Sequence, residues 1–140
     1  MKLVLDASMA LAWIFERQNP LEVARANASL QHLAHPEAKV IVPSLWYTEV
    51  ANALLVAERR KVITIAAVTQ FKTKLAALPV QCDEVPVTNT IEATLSLART
   101  HQLTSYDASY LELALRVGAK LATFDRALIA AAEAVGITVN

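Results

Sequence analysis

Four carboxylates in this 140-residue chain stand at the ends of apolar segments or within one. Asp6 and Asp125 each follow a short apolar run typical of a buried strand. Asp107 lies near the start of an apolar helix, and Glu49 lies inside the apolar stripe of another. An ionised carboxylate on a buried face costs several kcal/mol unless it has a partner. These four positions therefore require an explanation.

An ordinary structural role would explain each acid taken alone. Thr104 to Asp107 fits the S/T-x-x-D pattern, in which the acid bonds back to the amide of the N-cap residue. Asp125 precedes a helix and suits an N-cap. A lysine or a backbone partner would account for Glu49. The four acids indicate chemistry only if the fold brings them together.

The elements that must position these acids alternate along the chain. Hydrophobic patterns predict strands at residues 2–5, 39–42, 80–87 and 119–123, and an edge strand at 137–139. Helical periodicity and capping signals predict helices at residues 9–16, 21–33, 44–60, 65–78, from 88–89 through 98, 106–117 and 126–135. This alternation predicts one domain, residues 1–140, with three α/β/α layers around a short central parallel sheet. Ligands of such sheets bind beyond the carboxyl ends of the strands, where all four acids can converge.

Several local signals refine this prediction. Ser8 is expected to cap the first helix, and Gly118 is expected to end the helix at 106–117 in a left-handed conformation. Pro86 indicates that the third strand lies at an edge of the sheet. The polar residues of the helix at 106–117 and its cap fall at i+3 and i+4 spacings, which predicts a solvent-exposed strip made of Ser105, Ser109, Glu112 and Arg116.

Composition excludes several classes of protein. Lys plus Arg and Asp plus Glu both number 13, so net charge gives no sign of a nucleic-acid partner. Cys82 is the single cysteine, which excludes an internal disulfide and favours a reducing cytoplasm. The two glycines cannot build a glycine-rich phosphate loop. No apolar run reaches membrane-spanning length, no signal peptide is expected, and the three histidines lack metal-ligand spacing.

Converging carboxylates repel one another and raise each other's pKa unless a cation neutralises them. No lysine is placed beside them in the sequence, so the natural neutraliser is a metal ion. Oxygen ligands select a hard cation, Mg²⁺ or Mn²⁺ in its place, and such an ion at an open edge suits phosphoryl chemistry by activating a bound water. Ser8 could also bond Asp6 or a metal-bound water. Asn52 could face the same site or the solvent.

The chain resembles the PIN-domain ribonucleases, and most closely the VapC-type toxins of toxin–antitoxin pairs. The resemblance rests on four segments in order: MKLVLDAS at 1–8, YTEVANAL at 47–54, LTSYDASYLELA at 103–114 and LATFD at 121–125. It implies that Asp6, Glu49, Asp107 and Asp125 form an Mg²⁺ site supported by Ser8 and sometimes assisted by Thr123. It also implies a homodimer, cleavage of structured or single-stranded RNA, and inhibition by an antitoxin whose tail enters the site.

Other classes of protein remain as alternatives at this stage. A receiver-like signalling domain would need paired acids after the first strand and a lysine after the last, and neither is present. A phosphatase of the haloacid-dehalogenase type needs D-x-D after the first strand, where this chain has Ser8. A domain that only binds other proteins would keep the fold but would not need an acid such as Glu49 inside an apolar stripe. The basic run Arg59-Arg60-Lys61 is expected to be a solvated helix end or a contact for an acidic partner or RNA.

Overall fold

Four parallel strands form the centre of the computed structural model, which describes residues 1–140. The strands and helices in chain order are β1 (Lys2–Leu5), α1 (Ala7–Leu11), α2 (Pro20–Leu33), β2 (Lys39–Val42), α3 (Leu45–Arg59), α4 (Ile65–Ala76), β3 (Val80–Cys82), α5 (Val87–His101), α6 (Ser105–Val117), β4 (Lys120–Ala122) and α7 (Arg126–Ala134). Most of these bounds lie within two residues of the predicted ones. None of the helices combines the length and the apolar character that a membrane crossing requires.

The order of the strands explains the three layers. The sheet runs β3-β2-β1-β4 with every neighbouring pair parallel. Right-handed crossovers therefore put the helices between β1 and β3 on one face of the sheet and those between β3 and β4 on the other. Accordingly, α1 packs on α2 and α3, whereas α6 packs on α5 and α7. The predicted α/β/α architecture is confirmed, and its direction of winding reverses between β1 and β4.

The central strand is apolar because both of its faces are covered. Leu3, Val4 and Leu5 of β1 have no exposed surface. Helix α6 lies over this strand and over β4, and it contributes Leu111 and Ala114 to the same core. A continuous apolar run is the expected composition of such a doubly covered strand. The core thus fixes the end of β1, and Asp6 is the next residue.

Local capping residues set several helix ends. Asn19 accepts a hydrogen bond from the amide of Leu21 at 2.9 Å, and Pro20 occupies the first turn of α2, where a missing N–H is harmless. Gly118 ends α6 with φ of +65°, a conformation that glycine adopts without steric cost, as predicted. The chain can therefore turn sharply from α6 into β4.

Two predicted strands are shorter than expected. Strand β3 ends at Cys82 instead of residue 87, and although it is an edge strand, Pro86 lies beyond it as the N-cap of α5. Helix α5 consequently begins at Val87, without a cap from Thr88 or Asn89. The predicted strand at 137–139 is reduced to one bridge between Leu121 and Val139. Apolar composition alone did not reveal how many residues pair.

The first helix is also displaced from its predicted bounds. It begins at Ala7 with Asp6 as its N-cap residue, so the prediction that Ser8 is the N-cap is wrong. It ends at Leu11, and residues 12–14 form turns bonded from i to i−3. The indole Nε1 of Trp13 then donates to the carbonyl oxygen of Ala26 at 3.1 Å, which ties these turns to α2.

The predicted solvent-exposed strip of α6 is wrong at its centre. Glu112 is only 8% exposed because α5 packs along that side of α6. Its carboxylate accepts a hydrogen bond from Nε of Arg116 at 2.8 Å, and Nη2 of Arg116 donates to Asp83 at 2.6 Å. The sequence pattern predicted the Glu112–Arg116 pair but not the helix that covers it.

We predict that Glu112→Gln lowers the free energy of unfolding by about 1–2 kcal/mol, because a buried, charge-assisted hydrogen-bond pair is weakened. Urea denaturation of both proteins measures this difference. Glu133→Gln is the control, since Glu133 is exposed on α7 and forms no ion pair. Equal stability of the Glu112 variant and wild type would contradict a structural role for this pair.

Candidate active site

The carboxylate of Asp6 is the most deeply buried of the four acids, with 4% of the residue exposed. Its backbone N–H donates to the carbonyl oxygen of Ala122 at 2.9 Å, which continues the pairing of β1 with β4. Its Oδ2 accepts hydrogen bonds from the hydroxyls of Ser8 at 2.7 Å and Thr123 at 2.6 Å. Two neutral donors, and no cation, therefore hold this carboxylate.

Both hydroxyls are oriented by the segment that follows β4. The amide of Phe124 donates to Oγ of Ser8 at 3.0 Å, and the amide of Asp125 donates to Oγ1 of Thr123 at 3.0 Å. Since each hydroxyl accepts from an amide, its own hydrogen is available to Asp6. Thr123 thereby connects the backbone of Asp125, which follows β4, to the side chain of Asp6, which follows β1.

Asp125 acts as a helix cap at the same edge of the sheet. Its Oδ1 accepts the amide hydrogen of Leu128 at 2.8 Å, which is the N-cap interaction expected from the sequence. Its Oδ2 has no hydrogen-bond partner. The structural role of Asp125 therefore leaves one oxygen available for another ligand.

Asp107 does not complete the capping box that its sequence permits. Thr104 is the N-cap of α6, and its hydroxyl accepts the amide hydrogen of Asp107 at 3.1 Å. The reciprocal bond from the amide of Thr104 to the Asp107 carboxylate is not formed. The side chain is partly buried, so it lies towards the protein as the helical periodicity predicted.

Glu49 finds its partner in a residue that the sequence analysis did not single out. The phenolic hydroxyl of Tyr110 donates to Oε1 of Glu49 at 2.6 Å, and Tyr110 has no exposed surface. A signal was available, since Tyr110 follows Asp107 by three residues and so shares its side of the helix. The pairing of Tyr110 with Glu49 could not be inferred from this spacing, because Glu49 lies on another helix 61 positions away.

The acids influence one another electrostatically. Burial raises the pKa of Asp6, a shift that its hydroxyl partners and the amide of Ala7 oppose and that the charge of Asp125 reinforces. Burial also raises the pKa of Glu49, opposed by Tyr110 and reinforced by Asp6 and Asp107. The pKa of Asp107 is raised by burial and by the charges of Asp125 and Asp6. The four acids are therefore close enough for their charges to act on one another.

No cation neutralises this group of acids. The ion pairs of the protein join Arg17 to Glu22 and Arg116 to Asp83 and Glu112, and none includes one of the four acids. In the conformation described, no three carboxylates approach closely enough to hold a metal ion between them. The donor atoms are all oxygens, which suits a hard cation that keeps water molecules between itself and some of its ligands.

Two arginines contact the segment that follows β4, and neither was predicted from the sequence. The guanidinium carbons of Arg17 and Arg25 lie 4.2 and 4.9 Å from the ring centroid of Phe124, next to Asp125. Arg25 also donates to the carbonyl oxygen of Thr123 at 2.8 Å. By contrast, Asn52 is exposed and its side chain forms no hydrogen bond, and the basic residues at 59–61 are exposed at the far end of α3.

We predict that Asp107→Asn stabilises the protein in EDTA by about 0.5–2 kcal/mol at neutral pH, because it removes a partly buried charge that also repels Asp125 and Asp6. Folded-state pKa values above the unfolded ones mean that protonation adds stability, fully present below the unfolded pKa and lost as the pH rises through the folded pKa. The advantage of the variant should therefore shrink as the pH falls towards 3.8, the ordinary pKa of aspartate. Urea denaturation across this pH range measures it.

Glu92→Gln provides the control for this measurement, because Glu92 is exposed on α5 and forms no ion pair. It should leave the stability and its pH dependence unchanged. If Asp107→Asn unfolds at lower urea concentration than wild type at neutral pH, then the Asp107 carboxylate stabilises the helix and its repulsion from the other acids is unimportant.

Comparison with solved structures identifies the same fold in other proteins. PAE2754 from Pyrobaculum aerophilum is 26% identical, with a TM-score of 0.72 over 99% of this chain and 92% of that one. VapBC2 from Rickettsia felis, solved bound to a DNA fragment from its promoter, is 12% identical, with a TM-score of 0.66 over 100% and 98% of the two chains. FitAcB from Neisseria gonorrhoeae is 16% identical, with a TM-score of 0.63 over 98% and 95%.

Sequence comparison gives the family. Among curated proteins, none is significantly similar to this chain. The family model of the PIN domain matches residues 3–134, a range that contains all four acids together with Ser8, Tyr110 and Thr123. The resemblance expected from the four sequence segments is thus confirmed at the level of the family. The chain belongs to the PIN domain family, whose members are typically nucleases.

Proposed function

We propose that this protein is an Mg²⁺-dependent endoribonuclease and the toxin of a VapBC-type toxin–antitoxin pair. The observation that carries the proposal is the group of four carboxylates at one edge of the sheet without a neutralising cation. PIN-domain nucleases generally use divalent metal ions, and two structurally similar proteins are VapBC2 and FitAcB.

The residues present fit a divalent metal ion chemically. Asp6, Glu49, Asp107 and Asp125 would hold it, directly or through water, since Mg²⁺ in proteins keeps several waters and binds one or two carboxylates directly. The unpartnered oxygens Oδ2 of Asp125 and Oε2 of Glu49 are available as ligands. When bound, the ion lowers the pKa of a water nucleophile and offsets charge on the scissile phosphate. Mn²⁺ should substitute for Mg²⁺.

The remaining polar groups of the site orient these ligands. Ser8 and Thr123 fix the carboxylate of Asp6 through two hydrogen bonds, and each hydroxyl is held by an amide of the segment after β4. In this proposal Asp6 is a metal ligand, so it does not act as the general base that would activate the hydroxyl of Ser8 or Thr123. The attack on phosphorus is therefore assigned to water rather than to a side chain, and no covalent intermediate is expected.

RNA is proposed as the substrate from the resemblance to the PIN-domain ribonucleases. Arg17 and Arg25 lie over the ring of Phe124, the residue that precedes Asp125 in the chain, and a phosphodiester backbone could contact them there. The neutral net charge limits this attraction to a local one. The receiver-like and phosphatase-like alternatives lose their support, because the PIN domain match covers the chain from residue 3 to 134.

We predict that the purified protein cleaves labelled RNA with Mg²⁺ or Mn²⁺ and that EDTA abolishes cleavage. Asp6→Asn should reduce the rate on the order of 10³-fold, because a metal ligand that supports several kcal/mol of transition-state stabilisation is weakened. Single-turnover assays on a mixed RNA pool measure both effects.

Glu133→Gln is the matched control and should cleave at the wild-type rate. Parallel assays with single-stranded DNA, acetyl phosphate and a phosphomonoester distinguish the alternatives. Cleavage that persists in EDTA, in a preparation free of contaminating nuclease, would contradict metal dependence. Cleavage of DNA but not RNA would contradict the substrate assignment.

An apolar groove supports the proposal of an antitoxin partner. Helices α3 and α4 enclose a groove of about 440 Å³ lined mainly by apolar side chains, including Trp46, Val50, Leu54, Leu75 and Leu78. It contains none of the four acids, but it lies along the helix that carries Glu49. An amphipathic antitoxin segment would fill this groove and extend a basic side chain to the acids. The segment would become ordered on binding.

A homodimer is proposed from the resemblance and from the surface of α5. This helix has no buried residue and carries a stripe of exposed apolar side chains at i, i+4 and i+8, namely Val87, Ile91 and Leu95. A second copy of the chain would remove this stripe from water.

We predict that co-expression with the neighbouring reading frame yields a stable complex with suppressed RNA cleavage. Ala76→Arg should weaken the complex by about tenfold or more, because an exposed groove residue becomes bulky and charged. Ala77→Arg is the control, since Ala77 is exposed next to it but does not line the groove. A complex that still cleaves RNA at the wild-type rate would refute inhibition by insertion into the site.

A further inference from the structure

Tyr110 is the largest side chain that is fully buried in this protein. A phenylalanine would fill the same volume without burying a hydroxyl, which is costly unless it is hydrogen-bonded. The hydroxyl of Tyr110 donates its hydrogen to Oε1 of Glu49 at 2.6 Å, the short distance typical of a bond from a neutral O–H to a carboxylate. The hydrogen bond to Glu49 therefore explains why this core position holds a tyrosine and its hydroxyl can be buried.

Glu49 needs such an anchor more than the other three acids do. Asp6 is held by two hydroxyls, Asp125 is held by the amide of Leu128, and Asp107 lies on the first turn of α6 beside the hydroxyl of Thr104. Glu49 has a longer side chain than these aspartates, and Tyr110 is its only hydrogen-bond partner. Burial and, to a lesser degree, the charges of Asp6 and Asp107 disfavour the ionised form of Glu49, and the hydrogen bond from Tyr110 opposes both effects.

The position of Tyr110 on α6 places the hydroxyl that holds Glu49 on the same helix as Asp107. It lies one turn after Asp107, so α6 presents both an acid and the donor that holds an acid of α3. Only Oε1 of Glu49 is occupied by the tyrosine, and Oε2 remains without a partner. Contact with Tyr110 thus leaves Glu49 able to bind another ligand while its position is fixed.

We propose that Tyr110 is a positioning residue that holds Glu49 in place as a metal ligand. This inference rests on the proposed metal-dependent function, and it adds a residue whose contribution is made through Glu49 alone. Partners of metal ligands typically contribute 10–100-fold to metal affinity, because they orient the ligand before the metal arrives.

The test is a titration of the intact protein with Mn²⁺ in the absence of RNA. Calorimetry or electron paramagnetic resonance measures the binding. Tyr110→Phe should weaken Mn²⁺ binding by about tenfold or more. In RNA cleavage, the Mg²⁺ concentration needed for half-maximal rate should rise by the same factor, while the rate at saturating Mg²⁺ stays within about threefold of wild type. Tyr106→Phe is the matched control, because Tyr106 is exposed on the same helix and bonds to no acid.

A double-mutant cycle with Glu49→Gln separates positioning from a general effect on the core. If Tyr110 acts through Glu49, the Phe substitution should change Mn²⁺ affinity less than about twofold in the Glu49→Gln background. An undiminished effect in that background, or wild-type affinity of Tyr110→Phe alone, would overturn the inference while the metal site stands. Absence of Mn²⁺ binding by the wild-type protein would overturn both the metal site and this role of Tyr110.

Discussion

The burial of carboxylates at one edge of the sheet, to which their mutual repulsion adds, is the constraint on which the rest of this structure depends. Burial and mutual charge raise the pKa of Asp6, Glu49 and Asp107, and no arginine or lysine compensates them. Such a group is unfavourable to folding unless the surrounding structure stabilises it. Strand β1, buried on both faces, and helix α6, packed across it, are part of that surrounding structure.

Neutral donors are the means by which the fold tolerates this charge. Ser8, Thr123 and Tyr110 each donate a hydroxyl hydrogen to one of the acids, and the amide of Leu128 serves Asp125. A cationic partner would stabilise the acids more strongly, but it would also occupy the position that a metal ion needs. Hydroxyls fix the geometry and leave the negative charge in place. This choice of partners is consistent with a site that binds a cation from solution.

The arrangement of the helices places a second surface beside these acids. Helix α3 carries Glu49 towards the sheet edge and lines the apolar groove with Trp46, Val50 and Leu54 on the same helix. A ligand in that groove would therefore lie along the element that presents one of the acids.

Local sequence was sufficient for the fold class, whereas the role of the four acids as a metal site stays a prediction. Apolar runs and helical periodicity are properties of neighbouring residues, so the strand that ends at Asp6 and the burial of Asp107 could be predicted. Packing in three dimensions decided the rest. The contact between Tyr110 and Glu49, the covering of Glu112 by α5 and the bond from Thr123 to Asp6 join distant parts of the chain. They depend on which faces of two elements meet, and no local pattern records that, because each element is shaped by its own sequence but oriented by its neighbours.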